Sequence, residues 1–277
     1  MRLRGILNVE VIVTGDEILF GRIVDTNSSW IARRASEVGG RVRHVTCVGD
    51  DLEDIAQALR EALARDLDFI ILTGGLGPSQ DDFTMEAIGR AVGRRTALNP
   101  EAVEMIRAKC AELGIESTPQ RELMARLIEG SRPTPNPIGM APGMILQEEG
   151  TTIVALPGVP EEMKAIFEGY VIPMMERKAT SRFLAKTITV QIIWKDFFPM
   201  YRSVLRDFKD VYLKKATTPP LRVEEREKVK DIKVDIVVEA ASMEGCERKM
   251  DAFLQKFKNR IESSGGKLIM QDKPLAT

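Results

Sequence analysis

Two short polar stretches hold the residues whose types and spacing could do chemistry. They are TGDE at 14–17 and GGLGPSQDD at 74–82, and each follows an apolar run. Glycines let a phosphate approach backbone N–H groups, and the start of a following helix favours an anion. Asp16, Asp81 and Asp82 would repel that phosphate unless a divalent cation lay between them, since carboxylates hold hard cations that in turn hold phosphate oxygens. The pattern predicts a site for Mg²⁺, Mn²⁺ or Co²⁺ that serves phosphoryl or nucleotidyl transfer or pyrophosphate hydrolysis.

The composition excludes several other kinds of site. The chain of 277 residues has one histidine, His44, within a run that reads as a strand. A multi-histidine metal site would need more than one histidine, and a Ser-His-Asp triad or Cys-His dyad would need His44 at its centre. Three widely separated cysteines form no CxxC pair, which favours reduced thiols in a cytoplasmic protein. No apolar stretch reaches membrane-spanning length, so we expect no membrane association.

Each polar stretch also has a purely structural interpretation. SQDD at 79–82 fits a capping box, with Ser79 as the N-cap and Asp82 reaching back to its backbone N–H. TGDE is ordinary turn chemistry, and DTNSS at 25–29 is typical of a helix N-cap. The glycine spacing is neither a Walker loop, because no Lys-Ser/Thr follows Gly77, nor a GxGxxG fingerprint. When each motif is considered by itself, its structural interpretation remains open.

The elements around these motifs decide where they lie. The first 95 residues alternate strands and helices, which predicts a doubly wound parallel sheet with helices on both faces. The predicted strands cover 9–15, 41–49 and 68–75, and the predicted helices cover 27–39, 51–65 and 81–93. In such a sheet strands one and three are commonly neighbours, and ligands bind at the carboxyl ends of the strands near that point. TGDE and GGLGPSQDD are therefore expected to converge on one crevice.

The remaining chain completes one larger domain and adds a smaller one. The pattern predicts a helix at 99–113, a proline-rich surface loop at 131–143, a hairpin of 144–147 and 151–156 turning at Glu149-Gly150, and a helix at 159–175. Residues 181–277 read as a small α+β domain. Its predicted strands are 185–193, 211–216 and 231–240, its helices are 198–208 and 247–264, and 217–230 is a solvated loop. Residues 1–180 carry 20 basic and 27 acidic residues (net −7), whereas 181–277 carry 20 and 14 (net +6), which fits two domains with different roles.

Five motifs in order carry a resemblance to a known family. They are TGDEI-x2-G at 14–21, DTNS at 25–28, GGLGPSQDDFT at 74–84, NPIGMAPG at 136–143 and LPGVPEEM at 156–163. Together they resemble the N-terminal domain of the competence/damage-inducible protein CinA, a branch of the molybdopterin-binding family that also contains MoaB, MogA and MoeA. The resemblance implies a three-layer α/β/α domain over 1–180 with a mostly parallel sheet, and a KH-like small domain over 181–277.

For the CinA branch, the resemblance implies metal-dependent hydrolysis of ADP-ribose to AMP and ribose phosphate. Carried over by position, it places Asp16, Asp81 and Asp82 around metal and phosphate. It places the binding loops at Thr14, Gly15, Thr73, Gly74, Gly75, Gly77 and Thr84, and the opposite wall at Asn136, Gly143, Pro157 and Gly158. The alternatives are molybdopterin binding or adenylylation, and a non-catalytic nucleotide-binding regulatory module.

Two departures from the family limit what is expected. Full-length CinA proteins end in a nicotinamide-nucleotide amidase domain, and these 277 residues show no counterpart to it, so we expect no deamidase activity. A KH domain clamps nucleic acid with a GxxG loop, and none occurs within 181–277. Nucleic acid is therefore an unlikely partner. We expect a phosphorylated small molecule as the ligand, a homo-oligomer as the assembly, and a dimerisation or pocket-covering role for the second domain.

Overall fold

The computed structural model describes residues 6–208, 211–215 and 225–269. Contacts divide the chain after Ala179 into two compact units. No helix among the described residues is long and apolar enough to cross a membrane.

The first unit is built on a six-stranded sheet with the order β2-β1-β3-β8-β7-β6. These strands are β1 (Leu7–Thr14), β2 (Gly40–Val48), β3 (Phe69–Thr73), β6 (Arg132–Thr134), β7 (Gly143–Glu148) and β8 (Thr151–Leu156), and a separate two-stranded sheet pairs β4 (Thr96–Leu98) with β5 (Arg126–Ile128). β1 pairs in parallel with both β2 and β3, and β3 pairs in parallel with β8. Both pairings of β7 are antiparallel, so five of the six strands run in one direction. The mostly parallel sheet is confirmed.

Helices cover both faces of this sheet, because alternate strand residues point to opposite sides. The first unit contains α1 (Asp16–Leu19), α2 (Asn27–Glu37), α3 (Leu52–Leu63), α4 (Thr84–Val92), α5 (Pro100–Leu113), α6 (Pro119–Glu122), α7 (Pro160–Ile166) and α8 (Ile172–Lys178). Ile12, Ile70 and Leu72 pack with α3, α4 and α5 in one core. Val11, Val13 and Ile71 pack with α2, α7 and α8 in the other. A π-helical turn at Phe167–Val171 joins α7 to α8, so the predicted helix at 159–175 is present and extends further.

Two segments of the first unit differ from expectation. The segment 131–143, predicted as a surface loop, contains the short strand β6, in which Pro133 and Thr134 are buried. Pro133 is tolerated there because β6 lies at the edge of the sheet and pairs on one side. The predicted hairpin is confirmed: Glu149 (φ 46°) and Gly150 (φ 91°) are both left-handed, as a two-residue hairpin turn requires.

The second unit is a separate α+β layer. Its sheet has the order β10-β11-β9-β12 and is antiparallel throughout. Its strands are β9 (Arg182–Ile193), β10 (Val211–Lys215), β11 (Val229–Ala240) and β12 (Lys267–Ile269), and its helices are α9 (Trp194–Asp207) and α10 (Met243–Ser263). Both helices share one buried cluster with β9 and β11.

The small α+β unit is confirmed. Among the residues that the structure describes in this unit, the elements follow the order β9-α9-β10-β11-α10-β12, a βαββαβ arrangement. Most of the predicted solvated loop at 217–230 lies outside the described residues, and β11 already begins at Val229.

Candidate functional site

A cavity of about 600 Å³ opens at the carboxyl ends of β1, β3 and β8. β1 and β3 are direct neighbours in the sheet, so the predicted convergence of TGDE and GGLGPSQDD is confirmed. Gly15 and Glu17 line the cavity from the first stretch, and Gly77 and Asp81 line it from the second. Its volume is in the range of small-molecule sites.

The base of the cavity, which we call the floor, consists of the buried residues Thr14, Asn27, Thr73 and Gly74 and the half-buried Gly75. Gly74 (φ 110°) and Gly75 (φ 62°) occupy backbone conformations that favour glycine. A Cβ at Gly74 would lie 2.5 Å from both the carbonyl oxygen and Oγ1 of Thr14, and a Cβ at Gly75 would lie 2.5 Å from Thr84 Oγ1. Close packing of the strand ends therefore already requires glycine at both positions, without any ligand.

Hydrogen bonds tie the floor to the surrounding strands. Thr84 Oγ1 donates to the Gly74 carbonyl (2.8 Å), and Thr73 Oγ1 donates to the Pro157 carbonyl (2.9 Å). Asn27 Nδ2 donates to Thr73 Oγ1 (3.2 Å) and to the carbonyl of Gly158 (2.9 Å). Three separate segments of the chain are thereby locked together at one point.

Asn27 is a floor residue that the sequence reasoning missed. DTNSS was interpreted as an N-cap cluster, and Asp25 does accept a hydrogen bond from the Ser28 N–H (3.0 Å). The N-cap residue itself, Thr26, makes no side-chain capping bond. Asn27 instead turns its amide towards β3 and β8. The available signal was the place of DTNSS after the first predicted strand, on the same edge as the other polar clusters.

The capping-box interpretation of SQDD is half correct. Asp82 Oδ2 accepts a hydrogen bond from the Ser79 N–H (2.8 Å), as a capping box requires. Helix α4, however, begins at Thr84, and its N-cap is Phe83. The bond therefore closes a turn within the glycine loop and does not cap the helix.

Six carboxylates line the cavity, and we call them the rim: Glu17, Asp25, Asp50, Asp81, Asp82 and Glu162. All six are exposed or half-buried. No lysine, arginine or histidine lines the cavity among the described residues. An anionic ligand in this cavity would consequently meet uncompensated negative charge, unless it arrived together with a cation.

Asp50 is the second residue that the sequence reasoning missed. Its Oδ2 accepts from the Asp16 N–H (3.1 Å), and the Asp50 N–H donates to Asp16 Oδ1 (3.3 Å). Partial burial raises the pKa of the Asp50 carboxyl, and the neighbouring charges of Glu17, Asp16 and Asp81 raise it further. The signal was available, because VGDD ends the second predicted strand at the same edge of the sheet.

Asp16 does not line the cavity itself but contacts Asp50, which does; its role as a metal ligand stays a prediction. Its two hydrogen bonds hold the loop that presents Asp50, so Asp50 and Glu17 occupy the place expected for Asp16. No group of three or more His, Cys, Asp and Glu residues in the described chain is arranged to hold a metal ion. The rim suits a cation held by one or two carboxylates with water and ligand phosphate as the other donors, which is how Mg²⁺ usually binds.

The opposite wall is also built differently from expectation. Pro157 and Gly158 line the cavity as predicted, but Asn136 and Gly143 do not. Asn136 Oδ1 accepts from the Gly139 N–H (2.8 Å), and its Nδ2 donates to Glu162 Oε2 (2.6 Å). Asn136 therefore shapes the loop behind the wall. A Cβ at Gly143 would lie 2.5 Å from Thr134 Oγ1, so this glycine serves strand packing.

The remaining predicted site residues also divide into those that line the cavity and those that lie behind the lining. Thr84 is fully buried and lies behind the lining, where its Oγ1 donates to the Gly74 carbonyl and its N–H donates to the Gly75 carbonyl (3.3 Å). The predicted residues that do line the cavity are Thr14, Gly15, Thr73, Gly74, Gly75, Gly77, Asp81, Asp82, Pro157 and Gly158. Apolar side chains complete the lining, with Ile23 and Val24 after α1, and Met124 and Met140 from the segments around β5 and β7.

Comparison with known proteins gives the same assignment as the motifs. A family model described as "Probable molybdopterin binding domain" matches residues 10–177. A protein of Pyrobaculum calidifontis is 39% identical over 255 residues, covering 91% of this chain and 95% of that one. A protein of Aeropyrum pernix is 33% identical over 264 residues, covering 95% and 96%. The crystal structure of the protein CinA, of unknown function, from Thermoplasma acidophilum is 38% identical with a TM-score of 0.56, covering 60% of this chain and 98% of its own.

Proposed function

The chain belongs to the molybdopterin-binding domain family. From that premise we propose that it is a hydrolase, which cleaves the pyrophosphate of nucleotide sugars of the ADP-ribose type with the help of a divalent cation. The observation that carries the proposal is the rim: six carboxylates and, among the described residues, no basic side chain around a glycine-rich floor. A pyrophosphate brings two anionic phosphates, so it can occupy such a cavity only with a cation as its partner. ADP-ribose is the leading substrate.

The chain's own groups divide the work of this reaction. Asp50 and Asp81 would hold the cation. A divalent cation bound there supplies polarisation of a phosphoryl group and lowers the pKa of a bound water. A rim carboxylate that does not hold the cation would accept the proton of the attacking water. Water oxygen bonds to one phosphorus, the bridging P–O bond breaks, and AMP and ribose 5-phosphate leave.

The apolar part of the lining suits the ring of a nucleotide. Ile23 and Val24 are 57% and 80% exposed and line the cavity, so a bound ring would cover part of their apolar surface. They line the same cavity as Met124 and Met140. Methionine adapts well to flat aromatic rings, and a heterocycle at this place would leave the pyrophosphate nearer the carboxylates.

A second candidate is binding of a molybdopterin-type ligand. It is favoured by the family match over residues 10–177, since a phosphorylated pterin also combines a heterocycle with an anionic group. It predicts affinity for the pterin without release of AMP from ADP-ribose.

The deciding experiment is incubation of the purified chain with ADP-ribose, with and without Mg²⁺, Mn²⁺ or Co²⁺, while AMP is followed by chromatography. We expect AMP only when a divalent cation is present. Absence of AMP with all three cations would overturn the hydrolase proposal. Binding of molybdopterin under the same conditions would then favour the second candidate.

A further inference from the structure

Two oxygen atoms of the floor have no partner. Thr14 Oγ1 and Asn27 Oδ1 are shielded from solvent and accept or donate no hydrogen bond among the described residues. Thr14 is 4% exposed and Asn27 is 7% exposed, yet both side chains line the cavity. A buried polar atom without a partner costs about 1–3 kcal/mol, so such atoms in a native protein call for an explanation.

The orientation of the Asn27 amide is fixed by its other bonds. The Thr73 hydroxyl gives its single proton to the Pro157 carbonyl, so at Asn27 it can only accept. The Gly158 carbonyl also only accepts. Both contacts therefore require the NH₂ group, and a flipped amide would set oxygen against oxygen. Asn27 Oδ1 is consequently an acceptor held in place without a donor.

The neighbours of these two oxygens show from which side a partner can come. Thr14 Oγ1 faces Gly74 and Gly75, which have no side chains to offer. Asn27 is held by Thr73 and Gly158. All four of these neighbours line the cavity themselves. A donor for the floor therefore enters through the cavity, between the strand ends.

We propose that Thr14 and Asn27 form a subsite for the vicinal hydroxyl pair of a ribose, an inference that rests on the proposed substrate class. A phosphate at neutral pH offers only acceptors and would repel Asn27 Oδ1. A sugar hydroxyl donates to that oxygen, and the neighbouring hydroxyl exchanges a hydrogen bond with the Thr14 hydroxyl, which can donate or accept. The floor thus selects the sugar, while the rim and its cation select the pyrophosphate.

Thr14→Val is the decisive variant, because it separates binding from folding. The Thr14 hydroxyl has no protein partner to lose, so we expect a melting temperature equal to or above that of the wild type. Binding is measured by calorimetry on the full chain with Mn²⁺, using ribose 5-phosphate and 2-deoxyribose 5-phosphate as probes. We expect the wild type to prefer the ribose compound by about five- to tenfold, the value of one net hydrogen bond.

The variants should remove that preference selectively. Thr14→Val and Asn27→Ala are expected to bind the two sugars equally, and Thr14→Ser, which keeps a hydroxyl, is expected to retain the preference. Thr189→Val is the matched control, since Thr189 Oγ1 is also buried and unpartnered but lies on β9 of the second unit.

Three outcomes overturn the proposal: equal affinity of the wild type for both sugars, no binding of either, or a preference that survives in Thr14→Val and Asn27→Ala. Equal losses of AMP and 2′,3′-dideoxy-AMP binding in those variants would assign the floor to a ring amine instead, which also overturns it. Failure of ADP-ribose hydrolysis with the sugar preference intact would sink the hydrolase proposal and leave the floor assignment standing.

Discussion

The floor and the rim of the cavity differ in the residue types that form them and in the contacts that hold those residues in place. Most of the floor is buried, its glycines leave no room for a Cβ, and hydrogen bonds join it to three segments of the chain. The rim consists of carboxylates that are exposed or half-buried. Among them, Asp81 has no side-chain hydrogen bond to any described residue.

Because of this difference, we expect the stability of the fold and the turnover of substrate to depend on different residues of the same site. Substitutions that add atoms to the glycines of the floor should act first on stability, because they disturb close packing, whereas loss of the unpartnered Thr14 hydroxyl should not. Loss of the Asp81 carboxylate should act first on turnover, because that side chain has no hydrogen-bond partner among the described residues. Asp25, Asp50, Asp82 and Glu162 each accept a hydrogen bond, so their substitution should also affect stability. The proposed cation supplies a reason for six carboxylates around one cavity.

The largest effect is expected from Asp81→Asn. The substitution removes one negative charge and no hydrogen bond among the described residues, so it should lower AMP formation from ADP-ribose by at least about 100-fold, as losses around metal sites do, and leave the melting temperature unchanged. Asp251→Asn on α10, also exposed, is the charge-matched control. Full turnover in Asp81→Asn would remove the distinction between rim and floor.

Gly74→Ala should act on the floor by destabilising the fold. A Cβ there would meet Thr14 at 2.5 Å in a left-handed conformation, so we expect a loss of about 3 kcal/mol or more in the free energy of unfolding, measured with denaturant. Gly114→Ala is the control, because Gly114 has the same sign of φ (66°) and open space around it. It should cost about 1 kcal/mol. Equal losses for the two variants would show that packing at the floor is looser than described.

Asp82→Asn tests a rim carboxylate that also makes a structural hydrogen bond. Asn Oδ1 can still accept from the Ser79 N–H, so the stability loss should stay below about 1 kcal/mol. Turnover should fall by a larger factor than that loss explains. A stability loss with proportional loss of turnover would place Asp82 with the structural residues.

Asp50→Asn should have the smallest effect on stability, and the sign of that effect depends on pH. The raised pKa means that the folded state holds the Asp50 proton more tightly than the unfolded state. The ionised carboxylate therefore lowers stability above that pKa, and this cost vanishes as the pH falls below the unfolded value. At neutral pH without divalent cations, Asp50→Asn should raise the melting temperature by about 1–2 °C.

The same advantage should disappear in acid, where both forms are neutral. Adding Mn²⁺ should stabilise the wild type more than Asp50→Asn. A variant that melts below the wild type at neutral pH without cations would contradict the repulsion within the rim.

How far the sequence could predict the site follows from what each residue does. Strand ends were predictable, since apolar runs such as 68–75 mark β3 and the parallel sheet then brings TGDE and GGLGPSQDD together. The direction of single side chains was not. Asp16 and Glu17 are adjacent, and only the direction of each side chain in the first turn of α1 puts Glu17 in the cavity lining and Asp16 outside it. Asn136 lies behind the wall because its polar atoms bond to its own loop and to Glu162.

The strand β6 and the connectivity of the second unit show a second limit. Proline-rich composition favours loops, yet an edge strand that pairs on one side accepts Pro133. The order of elements over 181–277 was largely predicted, but the pairing of β9 with both β11 and β12 depends on contacts far apart in the chain.

The single reversed strand of the first sheet has a consequence for how this scaffold can diversify. Because β7 runs against its neighbours, the loop between β6 and β7 arrives at the same edge as the carboxyl ends of β1, β3 and β8. Met140 and Ala141 on that loop line the cavity, while the loop itself makes no part of the floor. Its length and sequence can therefore change as the ligand changes, while the floor is kept.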